Sequence, residues 1–292
     1  MNKKKAISRA RSRVADHVLA GIAGSDRLAG SMVLRGSTLL RAWYGDLARE
    51  PGDLDFVVIP SSPTGDDDHA KGLLDDHAEG LLTWDEYYAE TLRMEAAHKE
   101  GLLRDVVDAA ARMSRENTSP VPPVIIDAGR AAWDDIWDYD EAPGRRVILP
   151  WDAGRAGHGT VQIDFALDER LPADPEYTRI PRPDGGAPLT VLGATPELSL
   201  AWKLAWLVKD TVCKRKDLFD AVLLAEHVHL PAGLLTWTVE PGPGTEAWLL
   251  SRLSEARWDR DGLHKGDRAL TYDPLQLVDR LMRALRSTFD AQ

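Results

Sequence analysis

The spacing of apolar residues changes along this 292-residue chain, and each spacing predicts an element. Residues 12–29 place apolar side chains three and four positions apart, which is the pattern of an amphipathic helix. Residues 31–35 and 56–59 are short apolar runs typical of strands, and residues 38–43 form a short predicted helix between them. The positions expected to be buried on the first helix are Val14, Val18, Leu19, Ile22 and Leu28.

Strands and helices continue along the chain, and its last third is mainly helical. Residues 73–115 have helical spacing, with breaks expected near Gly80 and Gly101. Predicted strands follow at 121–126, 146–150 and 159–167. After a Pro- and Gly-rich connection at 171–188, helices are predicted at 196–212, 216–227, 246–258 and 274–289. This order predicts an α+β protein, with a mixed sheet and flanking helices in residues 1–190 and a mainly helical C-terminal domain in residues 191–292.

Candidate chemistry lies at two turns near the first predicted strands. Gly36 and Ser37 open a helix, whose N-terminal N–H groups and positive dipole end suit a triphosphate. Asp53 and Asp55 stand one residue apart at the start of the next strand, so their side chains share a face. Their repulsion indicates a cation between them, and carboxylate oxygens suit Mg²⁺. The alternative is that the run from Pro51 to Asp53 is only a turn.

Asp164 is a third candidate ligand. It interrupts the apolar alternation of Val161, Ile163 and Phe165 in a predicted strand. A buried carboxylate needs compensation, and a metal shared with Asp53 and Asp55 would supply it. A strand with one face in water is the alternative.

Lys203 stands out in the first C-terminal helix, which Thr195 is predicted to cap. Its neighbours three and four positions away are Ser199, Leu200, Trp206 and Leu207, so its charge either reaches solvent or meets an anion. In the next helix, Asp217 and Asp220 fall on one face.

Composition and net charge restrict the binding partners and the cellular compartment that we expect. The net charge of −11 argues against broad nucleic-acid affinity, although Lys214, Arg215 and Lys216 form a local basic cluster. Arg35, just before the Gly36-Ser37 turn, is expected to point to solvent, and the alternative is that its guanidinium contacts a phosphate. With Cys213 as the one cysteine, no internal disulfide forms, and no run of apolar residues is long enough to span a membrane. A cytoplasmic protein without membrane contact is expected.

Four motifs in order resemble the nucleotidyltransferase superfamily that includes DNA polymerase β, and within it the AbiEii/AbiGii (MenT-like) toxin family. They are Gly36-Ser37, Asp53-Leu54-Asp55, a helix with Glu197 and Lys203, and Lys216-Asp217-Leu218-Phe219-Asp220. The resemblance covers roughly residues 30–60 and 160–230. It differs at Pro51, where many members have Ser or Thr.

The resemblance implies a nucleotidyltransferase fold and an enzyme that transfers NMP from an NTP to an acceptor hydroxyl. Asp53, Asp55 and Asp164 would hold two Mg²⁺ ions, and Gly36, Ser37 and Lys203 would bind the nucleotide. Asp217 would be the catalytic acid of the second domain. The implied acceptor is an RNA 3′ end, tRNA in particular, and the implied protein partner is an antitoxin. Two alternatives stay open: a small-molecule nucleotidyltransferase, such as one acting on an aminoglycoside, and an inactive binding protein on the same fold.

Overall fold

The first quarter of the chain builds the centre of the fold. The computed structural model describes residues 3–59, 75–79, 81–116, 123–137, 143–167, 169–210, 212–238, 245–259, 269 and 271–290. The first elements are α1 (Lys3–Ala23), α2 (Asp26–Ala29), β1 (Met32–Arg35), α3 (Ser37–Tyr44) and β2 (Leu54–Val58). The five apolar positions predicted to be buried on the first helix are all at most 2% exposed, so their burial is confirmed. The prediction of one helix over 12–29 was wrong, because α1 ends at Ala23 and Ser25 caps α2, which carries Leu28.

The long helix α4 (Trp84–Glu116) corrects one prediction, because it runs through Gly101 without the expected break. Leu102, Leu103 and Val106 follow at once and are fully buried, and α4 packs on α1 there. This packing outweighs the roughly 1 kcal/mol that a glycine costs inside a helix. The break expected at Gly80 lies outside the described residues.

An eight-stranded mixed sheet carries the fold. Its further strands are β3 (Ile125–Ile126), β4 (Ala132–Trp137), β5 (Pro143–Asp152), β6 (His158–Ala166), β7 (Glu176–Ile180) and β8 (Leu189–Gly193). The order is β3-β5-β6-β2-β1-β8-β7, and β4 also pairs with β5. β2 is parallel to β6 and β1 to β8, whereas β1 and β2 are antiparallel. The predicted alternation of β6 is confirmed, because Val161, Ile163 and Phe165 are buried.

The segment after the strand predicted at 159–167 differs from its prediction. β7 lies within the predicted connection at 171–188, and β8 runs across residue 190, so strands of the sheet continue to the predicted domain boundary and past it. Pairing of β8 with β1 and of β7 with β8 supplies the backbone hydrogen bonds that the Pro- and Gly-rich composition did not reveal. The division into two domains stays a prediction.

The remainder of the described chain is mainly helical, as predicted. Its elements are α5 (Pro196–Lys209), β9 (Val212–Lys214), α6 (Arg215–Ala225), α7 (Ala232–Thr238), α8 (Thr245–Ser254), β10 (Arg257–Asp259) and α9 (Pro274–Phe289). Thr195 caps α5, because its hydroxyl accepts a hydrogen bond of 3.2 Å from the Leu198 N–H. None of the helices in the described ranges is long and apolar enough to cross a membrane.

Helix α5 joins two hydrophobic cores. Leu198 and Trp202 belong to the core between the sheet, α1 and α4. Leu200 and Leu204 belong to the core among the C-terminal helices. A polar side chain on α5 can therefore lie at the boundary of the two cores, and Lys203 does.

Candidate active site

A cavity of about 610 Å³ opens where the sheet meets the C-terminal helices. Residues from β1, β2, β5, β6, α5 and α6 line it, so it combines segments that are far apart in sequence. The ionisable side chains of its lining, among the described residues, are Arg35, Arg49, Arg146, Lys203, Lys214, Lys216, Asp53, Asp55, Asp164, Asp210 and Asp217. All the predicted catalytic and metal-binding residues are in this set, and Gly36 of the predicted nucleotide loop also lines the cavity.

Four charged residues form a row across four adjacent strands. Arg35 of β1 is in register with Asp55 of β2, and Asp55 with Asp164 of β6. Asp164 is in turn in register with Arg146 of β5. Directly opposite residues on neighbouring strands have side chains close enough to interact, and like charges there are destabilising. The two aspartates at the centre of the row are thus an electrostatic cost that the two flanking arginines partly offset.

Asp55 is the focus of this charge. The pKa of its carboxyl is raised to about 7, first by burial and then by the charge of Asp53, whereas Arg35 and Lys216 act in the opposite direction. Asp53 and Asp55 both line the cavity, as expected for residues two positions apart at the start of a strand. Two carboxylates are an oxygen-only donor set of the kind that Mg²⁺ prefers, so these residues fit a divalent cation.

Gly36 lies against Asp55 and has no room for a side chain. Its backbone has φ +80° and ψ −156°, a conformation that is essentially restricted to glycine. A Cβ there would lie 2.5 Å from Oδ2 of Asp55. A glycine is therefore required at position 36 for two reasons: its backbone conformation and the close approach of the Asp55 carboxylate.

Ser37 begins α3 directly after Gly36 and, unlike Gly36, is not one of the residues that line the cavity. Its side chain is 1% exposed, and its hydroxyl has no hydrogen-bond partner among the described residues. No side chain caps the N-terminus of α3. An unpartnered hydroxyl and uncapped N–H groups are polar groups that a bound phosphate could satisfy.

Asp164 lies beside Asp55 as predicted, but its oxygens are bonded to protein. Arg146 donates from Nε to Oδ1 and from Nη2 to Oδ2, both at 2.8 Å, and Gln162 Nε2 donates to Oδ2 at 2.9 Å. In the part of the chain that the structure describes, no three His, Cys, Asp or Glu residues form a metal-binding cluster. Arg146 and Gln162 thus compensate the charge of Asp164 in this structure, and its role as a third metal ligand stays a prediction.

Arg35 is buried rather than pointing to solvent, so that expectation was wrong. It is 5% exposed and forms an ion pair with Glu169. Its guanidinium lies 5.6 Å from the ring centre of Trp202 and 5.3 Å from that of Trp206. β1 is a central strand, and α5 covers this end of it. The sequence pattern around a single arginine does not show that cover.

Lys203 meets anions rather than reaching solvent. Its Nζ lies 2.6 Å from Asp217 Oδ1 and 3.2 Å from Asp220 Oδ2, and 4.7 Å from the ring centre of Trp206. Burial alone lowers the pKa of Lys203, but Asp217 and Asp220 outweigh it and the pKa is raised. Burial alone raises the pKa of Asp217, but Lys203 and Lys216 outweigh it and the pKa is lowered. Both groups stay charged.

Three residues of the site belong to none of the motifs found in the sequence. Arg49 is 5% exposed and binds Asp220, and Arg146 and Gln162 hold Asp164. Gln162 could have been found, because it shares the polar face of β6 with Asp164. No spacing pattern singles out Arg49 or Arg146, since their partners lie 171 and 18 residues away.

The basic cluster of Lys214, Arg215 and Lys216 lies only partly at the cavity. Lys214 and Lys216 line the cavity. Arg215 points away and is buried. Its Nε donates to the Ala269 carbonyl at 3.0 Å, and its Nη2 donates to the Tyr272 carbonyl. Arg215 thus ties α6 to the segment before α9.

The mixed sheet, the glycine loop against Asp55 and the paired carboxylates facing a helical wall define a protein with a nucleotidyltransferase fold. The sequence model of the family described as "Nucleotidyl transferase AbiEii toxin, Type IV TA system" matches residues 17–240. The chain therefore belongs to the AbiEii family of nucleotidyltransferase toxins from type IV toxin–antitoxin systems. The matched range contains every residue that lines the cavity.

A solved structure has a similar fold. It is MenT4, a nucleotidyltransferase toxin from Mycobacterium tuberculosis H37Rv, with a TM-score of 0.54 and 14% sequence identity. The similarity covers 99% of this chain and 86% of that chain. No curated protein matches the sequence. The family finding makes the chain an enzyme, so the alternative of an inactive binding protein is set aside.

Proposed function

We propose that this nucleotidyltransferase transfers NMP from an NTP to the 3′ hydroxyl of an RNA, with tRNA as the acceptor, and that Mg²⁺ is required. The observation that carries the proposal is that one cavity collects Gly36, the Asp53–Asp55 pair and the Lys203–Asp217 pair from both ends of the chain. These are the groups that an NTP needs: a phosphate loop, cation ligands and a cationic side chain.

The NTP is proposed to bind with its triphosphate between the two walls of the cavity. The N-terminus of α3 with Gly36 and Ser37 receives the β- and γ-phosphates. Lys203 neutralises the charge that develops on the leaving pyrophosphate. Asp217 keeps the Lys203 ammonium oriented, since their contact is 2.6 Å. The acceptor hydroxyl oxygen then attacks the α-phosphorus, the bond to pyrophosphate breaks, and the hydroxyl proton is released to water.

Asp53 and Asp55 are proposed as the Mg²⁺ ligands. A bound cation supplies charge neutralisation for the triphosphate and lowers the pKa of the acceptor hydroxyl. Asp164 lies in register with Asp55 and lines the cavity, and it would add a ligand, and with it a second ion, through the lone pair of Oδ1 that Arg146 leaves free. The charge excess of Asp53 and Asp55, which no short contact to a cationic side chain relieves in the described residues, supports the first two ligands over the third.

The charge of the cavity favours RNA over a cationic small molecule. The whole chain carries −11, but six basic and five acidic side chains line the cavity within the described residues. A cationic drug needs an acidic cleft. Once Asp53 and Asp55 hold a cation, the lining of this cavity is not acidic. Since the family is one of toxins in toxin–antitoxin systems, we also propose a cognate antitoxin as a partner.

Incubation of the purified protein with each labelled NTP, Mg²⁺ and total tRNA tests the proposal. We expect label on tRNA with at least one NTP, and none after chelation of the metal. The matched control is Asp55→Asn. Labelling of an aminoglycoside but of no RNA would establish the small-molecule alternative, and transfer that persists in a chelator would reject the metal assignment.

A further inference from the structure

Four ionisable side chains form a buried network at the helical wall of the cavity. Arg49 precedes β2, Lys203 is on α5, and Asp217 and Asp220 are on α6. The side chains of all four are at most 5% exposed. Their formal charges sum to zero, which is how a folded protein can hold this many charges away from water.

Asp220 divides its carboxylate between the two cations of this network. Arg49 Nε lies 3.1 Å from each oxygen, and Arg49 Nη2 lies 3.0 Å from Oδ2. Lys203 Nζ lies 3.2 Å from the same Oδ2 but 2.6 Å from Asp217 Oδ1. Lys203 thus has its closer contact with Asp217, which lines the cavity, and its longer one with Asp220, which does not.

We propose that Arg49 is a positioning residue for the nucleotide site. Its guanidinium binds the carboxylate of Asp220, and the ammonium of Lys203 therefore stays close to Asp217 and to the cavity. The proposal rests on the assignment of Lys203 to the triphosphate in the proposed function. Arg49 also lines the cavity and comes four residues before Asp53, so one side chain fixes both the segment that leads to the carboxylate pair and the lysine opposite it.

The physical reason is the burial of Asp220, whose side chain is 0% exposed. Within the described residues, Arg49 and Lys203 are the cations in contact with it. Without Arg49, a buried carboxylate would keep Lys203 as its one cationic contact, and the attraction at low dielectric would draw the ammonium towards Asp220. The positive charge at the triphosphate would then be lost although Lys203 is still present.

Four variants test this inference: Arg49→Met, Arg49→Lys, the double variant Arg49→Met with Asp220→Asn, and the control Arg182→Met. Arg182 makes a comparable two-pronged pair with Asp16, at 3.0 and 2.7 Å, and neither residue lines the cavity. Each variant is compared by calorimetric titration with the four Mg²⁺-NTPs, by turnover on total tRNA, and by thermal unfolding. Affinity and turnover are expressed per folded molecule.

Arg49→Met is expected to lower NTP affinity or turnover roughly 10- to 100-fold, the usual effect of misplacing a supporting group. The double variant is expected to recover most of that loss, because Asp220→Asn removes the charge that captures Lys203. Arg182→Met is expected to lower the unfolding temperature only. If Arg49→Met does not fold, Arg49→Lys carries the test, since one ammonium cannot make the two-pronged bond, and an intermediate loss is expected.

Two results would overturn the inference. One is a folded Arg49→Met or Arg49→Lys protein with wild-type affinity and turnover. The other is a loss that Asp220→Asn does not relieve, which would show packing rather than charge to be the role of Arg49. Lys203→Met separates this from the proposed function: unchanged NTP affinity there rejects the triphosphate assignment itself, whereas lost affinity there with normal Arg49 variants rejects only the positioning role.

Discussion

The two walls of the cavity solve the burial of charge in opposite ways. On the helical wall, Lys203 and Arg49 face Asp217 and Asp220, and the four charges cancel within contacts of 2.6 to 3.2 Å. On the sheet wall, Asp53 and Asp55 have no such contacts in the described residues, and the pKa of Asp55 is raised to about 7 by burial and by Asp53. The helical wall balances its charges by itself, whereas the sheet wall keeps an excess of negative charge at Asp53 and Asp55.

This difference indicates which part of the site is prepared before the nucleotide binds. The helical wall is a fixed set of ion pairs whose members are nearly inaccessible to water. The sheet wall keeps an excess of negative charge, which a Mg²⁺-triphosphate complex would relieve. Charge left uncompensated in a folded protein is expected at functional sites, where stability is given up for binding.

The sharpest test of the comparison is to remove the excess charge. We expect Asp53→Asn and Asp55→Asn each to lower transfer on the order of 10³-fold, since one electrostatic contact in the transition state is typically worth 10²–10³ in kcat. The free energy of unfolding should stay equal or rise, because a repulsion is lost. Turnover with labelled NTP and chemical denaturation measure the two effects.

Glu50→Gln is the matched control for these variants. Glu50 lies three residues before Asp53, is 72% exposed and does not line the cavity. It should leave both transfer and stability unchanged. Near-normal turnover in Asp53→Asn or Asp55→Asn would show that the sheet wall does not hold the metal.

A substitution in the helical wall, where the charges balance, should instead lower the free energy of unfolding. Lys203→Met leaves Asp217 and Asp220 buried with one cation fewer, and breaking a buried pair in this way typically costs about 3–5 kcal/mol. Arg104→Met is the control: Arg104 is 69% exposed and pairs with Glu100 one turn away on the same helix, so about 0.3–0.5 kcal/mol is expected. Equal losses in the two variants, measured by denaturant unfolding, would mean that the network is not a balanced unit.

The contact between the glycine loop and the sheet wall gives a smaller effect. Gly36→Ala adds backbone strain of about 1–3 kcal/mol and forces Asp55 aside, because the new Cβ would lie 2.5 Å from its Oδ2. Gly45→Ala is the control, since Gly45 also has a positive φ, of +53°, but an open environment. Only Gly36→Ala should also lower turnover. A Gly36→Ala protein with full turnover would contradict the close approach.

Much of the sheet wall could be predicted because its signals are local. Asp53 and Asp55 stand one residue apart, Gly36 and Ser37 sit between a strand and a helix, and the alternation in β6 places Asp164. Each of these depends on neighbours within a few residues, where the geometry of strands and helices is fixed.

The compensating partners could not be predicted, because they depend on tertiary contacts. Arg146 holds Asp164 across a strand pair, Arg49 binds Asp220 from 171 residues away, and Glu169 pairs with Arg35. The hydrophobic pattern of α5 indicated that Lys203 needs an anion or solvent, but not that two buried aspartates provide the anion. The strand β7 was missed for the same reason, since pairing with β8 determines it rather than its own composition.

The smallest expected effect concerns the rim, where RNA would meet the two walls. Replacing Lys214 and Lys216 by Ala should reduce labelling of tRNA and flatten the salt dependence of RNA binding by about 0.7 in log–log slope for each phosphate that is no longer neutralised. Arg215 is left in place, because its guanidinium binds the Ala269 and Tyr272 carbonyls and its loss would act on stability. The control removes the same charge from exposed positions outside the cavity, Arg155→Ala with Arg257→Ala. An equal change of slope in both pairs would show that only net charge matters, and would remove the case for an RNA path at this rim.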